Sequence, residues 1–131
     1  MKIKITLLVI QYNKTQNQIG DNYTKVFFTN DNKLPSCLAS LKDEKETLKS
    51  IFSKHFKIDY GWFEKQLYDF RITNNNGDVT AETVYITYTP EVIDVEKNGR
   101  FLTFSQIHEK EIELEPFYER AITGAGRSTF R

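Results

Sequence analysis

The chain has 131 residues, enough for one domain with a real core, and its 39% hydrophobic, 14% aromatic and 27% charged composition excludes a disordered polymer. Its 18 basic and 18 acidic residues cancel, so it lacks the cationic surplus that gripping a nucleic-acid backbone needs, and nucleic acid is not the expected partner. The single cysteine, Cys37, excludes an internal disulfide and points to the cytoplasm.

Membrane insertion is not expected either. The apolar run that starts at Ile5 stops at Gln11 with no cleavage site behind it, and no stretch approaches the roughly 20 apolar residues of a span. Ile3, Ile5, Leu7 and Val9 alternate with Lys4, Thr6, Leu8 and Ile10, a strand that becomes buried on both faces. Residues 13–21 form a polar loop, residues 25–29 a second strand and residues 30–32 a turn.

From about Asp43 to Lys57, Leu48, Ile51, Phe52, His55 and Phe56 recur at helical spacing. Asp43 is the expected N-cap, with Glu46 at capping-box distance. Residues 63–72 read as a strand. The run Asn74-Asn75-Asn76-Gly77-Asp78 is the clearest turn in the chain, and residues 83–88 form a strand returning antiparallel until Pro90. Asn98-Gly99 is another turn, and residues 100–104 form a short strand. Phe117, Ala121 and Ile122 mark a closing helix, which Gly124 and Gly126 are expected to break.

One stretch carries a resemblance. Leu34-Pro35 is followed by a turn-like segment, the basic helix, Ile58, and the run Trp62-Phe63-Glu64-Lys65-Gln66-Leu67-Tyr68-Asp69-Phe70. This layout resembles the Nudix hydrolases, whose signature is Leu-Pro-Gly-Gly, a loop, a helix with Arg-Glu-x-x-Glu-Glu-x-Gly, and a strand. The run from Phe63 is similar to the Leu-Glu-Gln-Leu-Tyr-Thr-Phe strand of Nudix-related transcriptional regulators and their ADP-ribose-processing relatives. The resemblance implies an α+β fold, a Nudix-like α/β/α sandwich with a mixed sheet between helices, over residues 1–131.

In that register Ile58 and Phe52 keep the apolar sites, while the signature's acid groups are gone. Its Arg falls on Ser50, the next Glu on Ile51, the paired glutamates on Lys54 and His55, and the Gly on Lys57; Ser36-Cys37 stand where Gly-Gly would be. In the family these carboxylates hold Mg²⁺ against a nucleoside diphosphate, and a hard cation needs oxygen ligands. The resemblance therefore implies a degenerate, non-catalytic box with no metal and no cofactor.

The expected function is a binding or assembly module that associates with itself or a larger protein assembly. A first alternative is a sensor of ADP-ribose or a related nucleotide ligand. Its candidate residues are Ser50, Lys54, His55 and Arg100, with Lys54 and His55 replacing the metal as a cationic attraction for phosphate. Against this stands the plainer reading of His55 as a partly buried histidine with one hydrogen bond. A second alternative is a divergent Mg²⁺-dependent hydrolase drawing acids from Asp69, Glu82, Glu109 or Glu111. Trp62, Phe63, Tyr68 and Phe70 are expected mostly in the core. Arg120, Arg127 and Arg131 form a basic cluster after the acidic Glu109, Glu111, Glu113 and Glu115, compatible with head-to-tail association.

Overall fold

The computed structural model describes residues 1–12, 24–39, 44–56, 65–89 and 98–128. The expected N-cap Asp43, the loop at 13–21, and Lys57, Ile58, Trp62, Phe63 and Pro90 lie outside them. Six strands, β1 (Lys2–Tyr12), β2 (Thr24–Thr29), β3 (Ser36–Ala39), β4 (Lys65–Asn75), β5 (Asp78–Thr89) and β6 (Gly99–Thr103), form one mixed sheet. The order is β4-β5-β1-β2-β6, and β3 pairs with the first half of β1. Among the described residues, only the β1–β5 pairing is parallel.

β1 is central because its sequence is apolar on both faces. Ile5, Leu7 and Val9 point to one side, where α1 (Glu44–His55) packs through Leu48, Ile51 and Phe52 with Phe27 and Phe56. Leu8 and Ile10 point to the other, where Val26, Phe28, Val84 and Ile86 meet Phe117, Ala121 and Ile122 of α3 (Pro116–Ser128). The short α2 (Phe104–Glu109) precedes α3 on that side, opened by a capping box in which Thr103 and Gln106 exchange side-chain-to-backbone bonds. The expected sandwich is present: helices on both faces of a mixed sheet. Among the described residues no helix is long and apolar enough to cross a membrane.

The hairpin expected at Asn74–Asp78 forms with a two-residue turn. Asn76 (φ 54°) and Gly77 (φ 89°) both sit in the left-handed region, and Asn75 pairs with Asp78. Two expectations are corrected. Residues 100–104 do not all form strand, since Phe104 opens α2. Gly124 and Gly126 do not end the last helix, which runs through both. Gly124 is there for space: a Cβ would lie 2.1 Å from the Tyr68 hydroxyl. Tyr68 reaches this position because β4 bulges between Leu67 and Asp69.

Candidate functional site

α1 crosses one face of the sheet, with Glu44 and Glu46 in its first turn and Lys54 in its last, the charge order a helix dipole favours. Its N-terminal end is tied to β5 by a hydrogen bond from the Tyr85 hydroxyl to Glu44 Oε1. Ser50 and Lys54 are exposed. Ile51 and His55 are only 4% and 5% exposed, so they belong to the core.

His55 is held as a structural group. Asn98 Nδ2 donates to the Lys54 carbonyl at 3.1 Å, so its Oδ1 must face the histidine, 2.9 Å from Nδ1. That arrangement places the imidazole proton on Nδ1, donating to Asn98. The ring packs at 5.3 Å from Phe27. Burial holds its pKa below the usual histidine value; the Asn98 bond works the other way, and the Lys54 charge adds to the depression.

Arg100 is elsewhere. It pairs with Phe28 across β2 and β6, and its neighbour Phe101 packs on the α1 side against Phe27. Alternation along the strand puts Arg100 on the α3 side, away from Ser50 and Lys54. Its Nη1 donates to the Thr29 carbonyl at 2.6 Å and its Nη2 to Asn32 Oδ1, fastening the turn in which Asn32 has φ 60°. The four candidate residues are therefore not gathered in one place: two are exposed on α1, one is in the core below it, and one is across the sheet.

The helix does not suit a magnesium ion. At the positions that the resemblance assigns to the signature's charged residues it presents a hydroxyl, a buried isoleucine, an ammonium and a buried imidazole. Among the described residues no group of three or more His, Cys, Asp and Glu side chains is placed to hold a metal. Nor do the reserve acids assemble there. Glu82 points to the α3 side, Asp69 Oδ1 accepts from the Phe70 amide at 2.8 Å, and Glu111 lines a cleft beside α2.

Sequence reading missed the most connected polar cluster. Glu82, 3% exposed, accepts from Thr6 at 2.5 Å, Tyr118 at 2.6 Å and Arg71 Nε at 3.0 Å, with Lys4 Nζ at 3.8 Å. Arg71 continues to Glu115 at 2.5 Å and stacks over Phe117 at 4.4 Å. Lys4, Glu82 and Arg71 sit in register across three neighbouring strands. An alignment by strand pairing would have exposed that row; one-dimensional spacing does not.

Among the described residues, Phe104 and Tyr118 each help to line a hollow on the α3 side. One, about 650 Å³, has a floor of Phe104, Ile107, Ile112 and Ile122 and a rim carrying Glu111, Glu113 and Glu119. The other, about 270 Å³, lies between Lys4, Lys33, Tyr118 and Glu115, beside Leu34 and Ser36.

No protein-family model matches the sequence, and no curated protein does. Solved structures match over nearly the whole chain. The C-terminal domain of mouse MUTYH, in complex with human PCNA, superposes with a TM-score of 0.67 at 11% identity, covering 94% of this chain and 86% of that one. The NUDIX domain of Shewanella oneidensis NrtR, complexed with ADP ribose, gives 0.63 at 10% identity, covering 95% and 86%. The fold is Nudix-like. A C. elegans Ap4A hydrolase gives 0.61 at 8% identity, covering 99% of this chain and 97% of that one. Identities this low carry the fold and nothing finer, so the Nudix-like scaffold is shared and the chemistry has to be argued from the residues present.

Proposed function

We propose that this chain is a Nudix-like module that works by binding protein, itself or a larger assembly, and not by metal-dependent hydrolysis. The observation that supports this most is the sealing of Ile51 and His55 into the core beneath α1. A helix that buries these positions trades ligand geometry for packing. Protein association has a precedent on this scaffold in the MUTYH domain bound to PCNA. The test is incubation with ADP-ribose and Ap4A in the presence of Mg²⁺ or Mn²⁺. No metal-dependent release of monophosphate is expected, and turnover would overturn the proposal.

A second reading, an ADP-ribose sensor, is favoured by one feature. The smaller hollow brings Lys4, Lys33 and the Tyr118 ring together beside Leu34 and Ser36, although Glu113 and Glu115 line it too and Glu82 already engages Lys4 and Tyr118. The NrtR domain of similar fold is complexed with ADP ribose. Ser50 and Lys54 remain available on α1 in this reading, whereas His55 and Arg100 already have protein partners. A rise in melting temperature with ADP-ribose would support it, since a ligand that binds only the folded state stabilises it.

A further inference from the structure

We propose that two copies of this chain pair antiparallel through the edge strand β4, about a two-fold axis at Ile72; this rests on reading the chain as a module that associates with protein. β4 is the terminal strand of the sheet, so one side of its backbone has no strand neighbour among the described residues. Edges of this kind are usually guarded by Lys, Pro or a charge. Here they are not.

The hairpin fixes which groups face outward. Asn75 and Asp78 close a two-residue turn and form a hydrogen-bonded pair, and such pairs alternate along an antiparallel ladder. Thr73 with Thr80 and Arg71 with Glu82 are therefore the next bonded pairs. The N–H and C=O groups of Phe70, Ile72 and Asn74 point away from β5. The Phe70 amide, lacking a strand partner, is satisfied by the carboxylate of its neighbour Asp69.

The side chains along this edge are apolar. Leu67, Phe70 and Ile72 are 64%, 53% and 62% exposed. Phe70 pairs with Thr83 and Ile72 with Ala81, on the α1 face of the sheet, whereas Arg71 turns to Glu82 on the other. The expectation that Phe70 belongs to the core is corrected here: it lies on the surface in a row of three large apolar groups.

The register follows from the geometry. The bulge at Tyr68 and the turn at Asn76 bound a regular segment, residues 69–75, whose midpoint is Ile72. Pairing that segment with its own copy sets Ile72 against Ile72 and Phe70 against Asn74, both outward-facing pairs able to exchange two backbone bonds. Phe70 of each copy falls diagonal to Ile72 of the other, within reach of an aromatic ring, so four apolar side chains gather on one face. Arg71 meets Thr73, and Asp69 meets Asn75, so no like charges oppose. A register centred on Arg71 would set two guanidinium groups against each other and is disfavoured. The edge is thus complementary to itself, which marks a second copy as the occupant.

The test combines mass and cross-linking on the full chain. Light scattering over a concentration series should give twice the chain mass, and Ile72→Lys, at an exposed position that leaves the fold intact by circular dichroism, should weaken the dimer by roughly tenfold or more. In a Cys37→Ser background, Ile72→Cys should form a disulfide-linked dimer under mild oxidation. Bonded antiparallel pairs stand about 5.5 Å apart at Cα, inside the range a disulfide spans. Phe70→Cys alone should not cross-link, but Phe70→Cys with Asn74→Cys should. A monomer throughout the series, or cross-linking by Phe70→Cys in preference to Ile72→Cys, would overturn the pairing. The nucleotide assay above is read separately: turnover by a β4-paired dimer would sink the binding-module reading and leave the pairing standing.

Discussion

Arg71 and Glu82 stand opposite each other on β4 and β5, and the guanidinium reaches the buried carboxylate from both Nε and Nη2 at 3.0 Å. Burial alone would raise the Glu82 pKa. Bonds from Thr6 and Tyr118, the Lys4 charge and Arg71 more than offset it, and the net direction is down. A carboxylate with a folded pKa below its unfolded value, about 4.3, adds stability that is fully present above that value and is lost as pH falls through the folded pKa. Denaturant unfolding between neutral and strongly acid pH should therefore show a steep acid limb. Glu82→Gln should flatten it while lowering stability at neutral pH. Glu82→Ala should be worse, by about 1–3 kcal/mol, because the Thr6 and Tyr118 hydroxyls lose their acceptor in a buried place while Arg71 keeps Glu115. An unchanged acid limb in Glu82→Gln would show that other carboxylates govern it.

A different sign rule applies to the same kind of measurement at His55. Its folded pKa is depressed chiefly by burial, so the neutral ring is the form that packs against Phe27. Stability from this group is complete above the unfolded pKa of about 6.5 and declines as pH drops toward the folded value. Asn98→Ala removes the one bond that raises the pKa, so the ring should become still harder to protonate in an NMR titration. It also strands the Nδ1 proton and the Lys54 carbonyl, at a cost of about 1–3 kcal/mol. A His55 pKa that rises in Asn98→Ala would contradict this arrangement.

How far the sequence alone reaches is visible in these residues. β1 and the Asn76-Gly77 hairpin were legible because their signals are local: a doubly apolar run and a turn that demands positive φ. The inward placing of Ile51 and His55 was legible from helical spacing. The fixing of His55 by Asn98 was not, because the partner lies 43 residues away on a turn before β6. β3 escaped notice because its four residues are largely exposed and show no alternation. α2 carried a readable capping box in Thr103 and Gln106, but the apolar run before it looked like a continuing strand. The Glu82 cluster needs the pairing of three strands before its row appears.

Gly124 was misread for a related reason, since its role depends on a bulge far away in sequence. Gly124→Ala should gain roughly 1 kcal/mol of helix propensity and still lose stability, because the new methyl meets the Tyr68 hydroxyl. The next atom of that ring, Cζ, stands 3.3 Å from the same point, a tight contact that a shift of a few tenths of an ångström relieves. Tyr68→Phe in the Gly124→Ala background should therefore recover most of the loss. A double-mutant cycle measures this directly, and purely additive effects would show that the two residues do not meet.

Thr87 offers the opposite kind of test, a substitution expected to stabilise. Its hydroxyl is fully buried on β5 and has no hydrogen-bond partner among the described residues, a condition shared with Gln11 Nε2 on the neighbouring strand. Val9 pairs with Thr87, so the hydroxyl lies on the face where the apolar side chains of β1 meet α1. A buried donor without a partner costs about 1–3 kcal/mol, and valine has nearly the same shape without the polar atom. Thr87→Val should thus raise the melting temperature, with a gain of about 1 kcal/mol in denaturant unfolding. If it instead lowers stability by a comparable amount, an ordered water bridges Thr87 to Gln11, and Gln11→Leu should then be destabilising for the same reason.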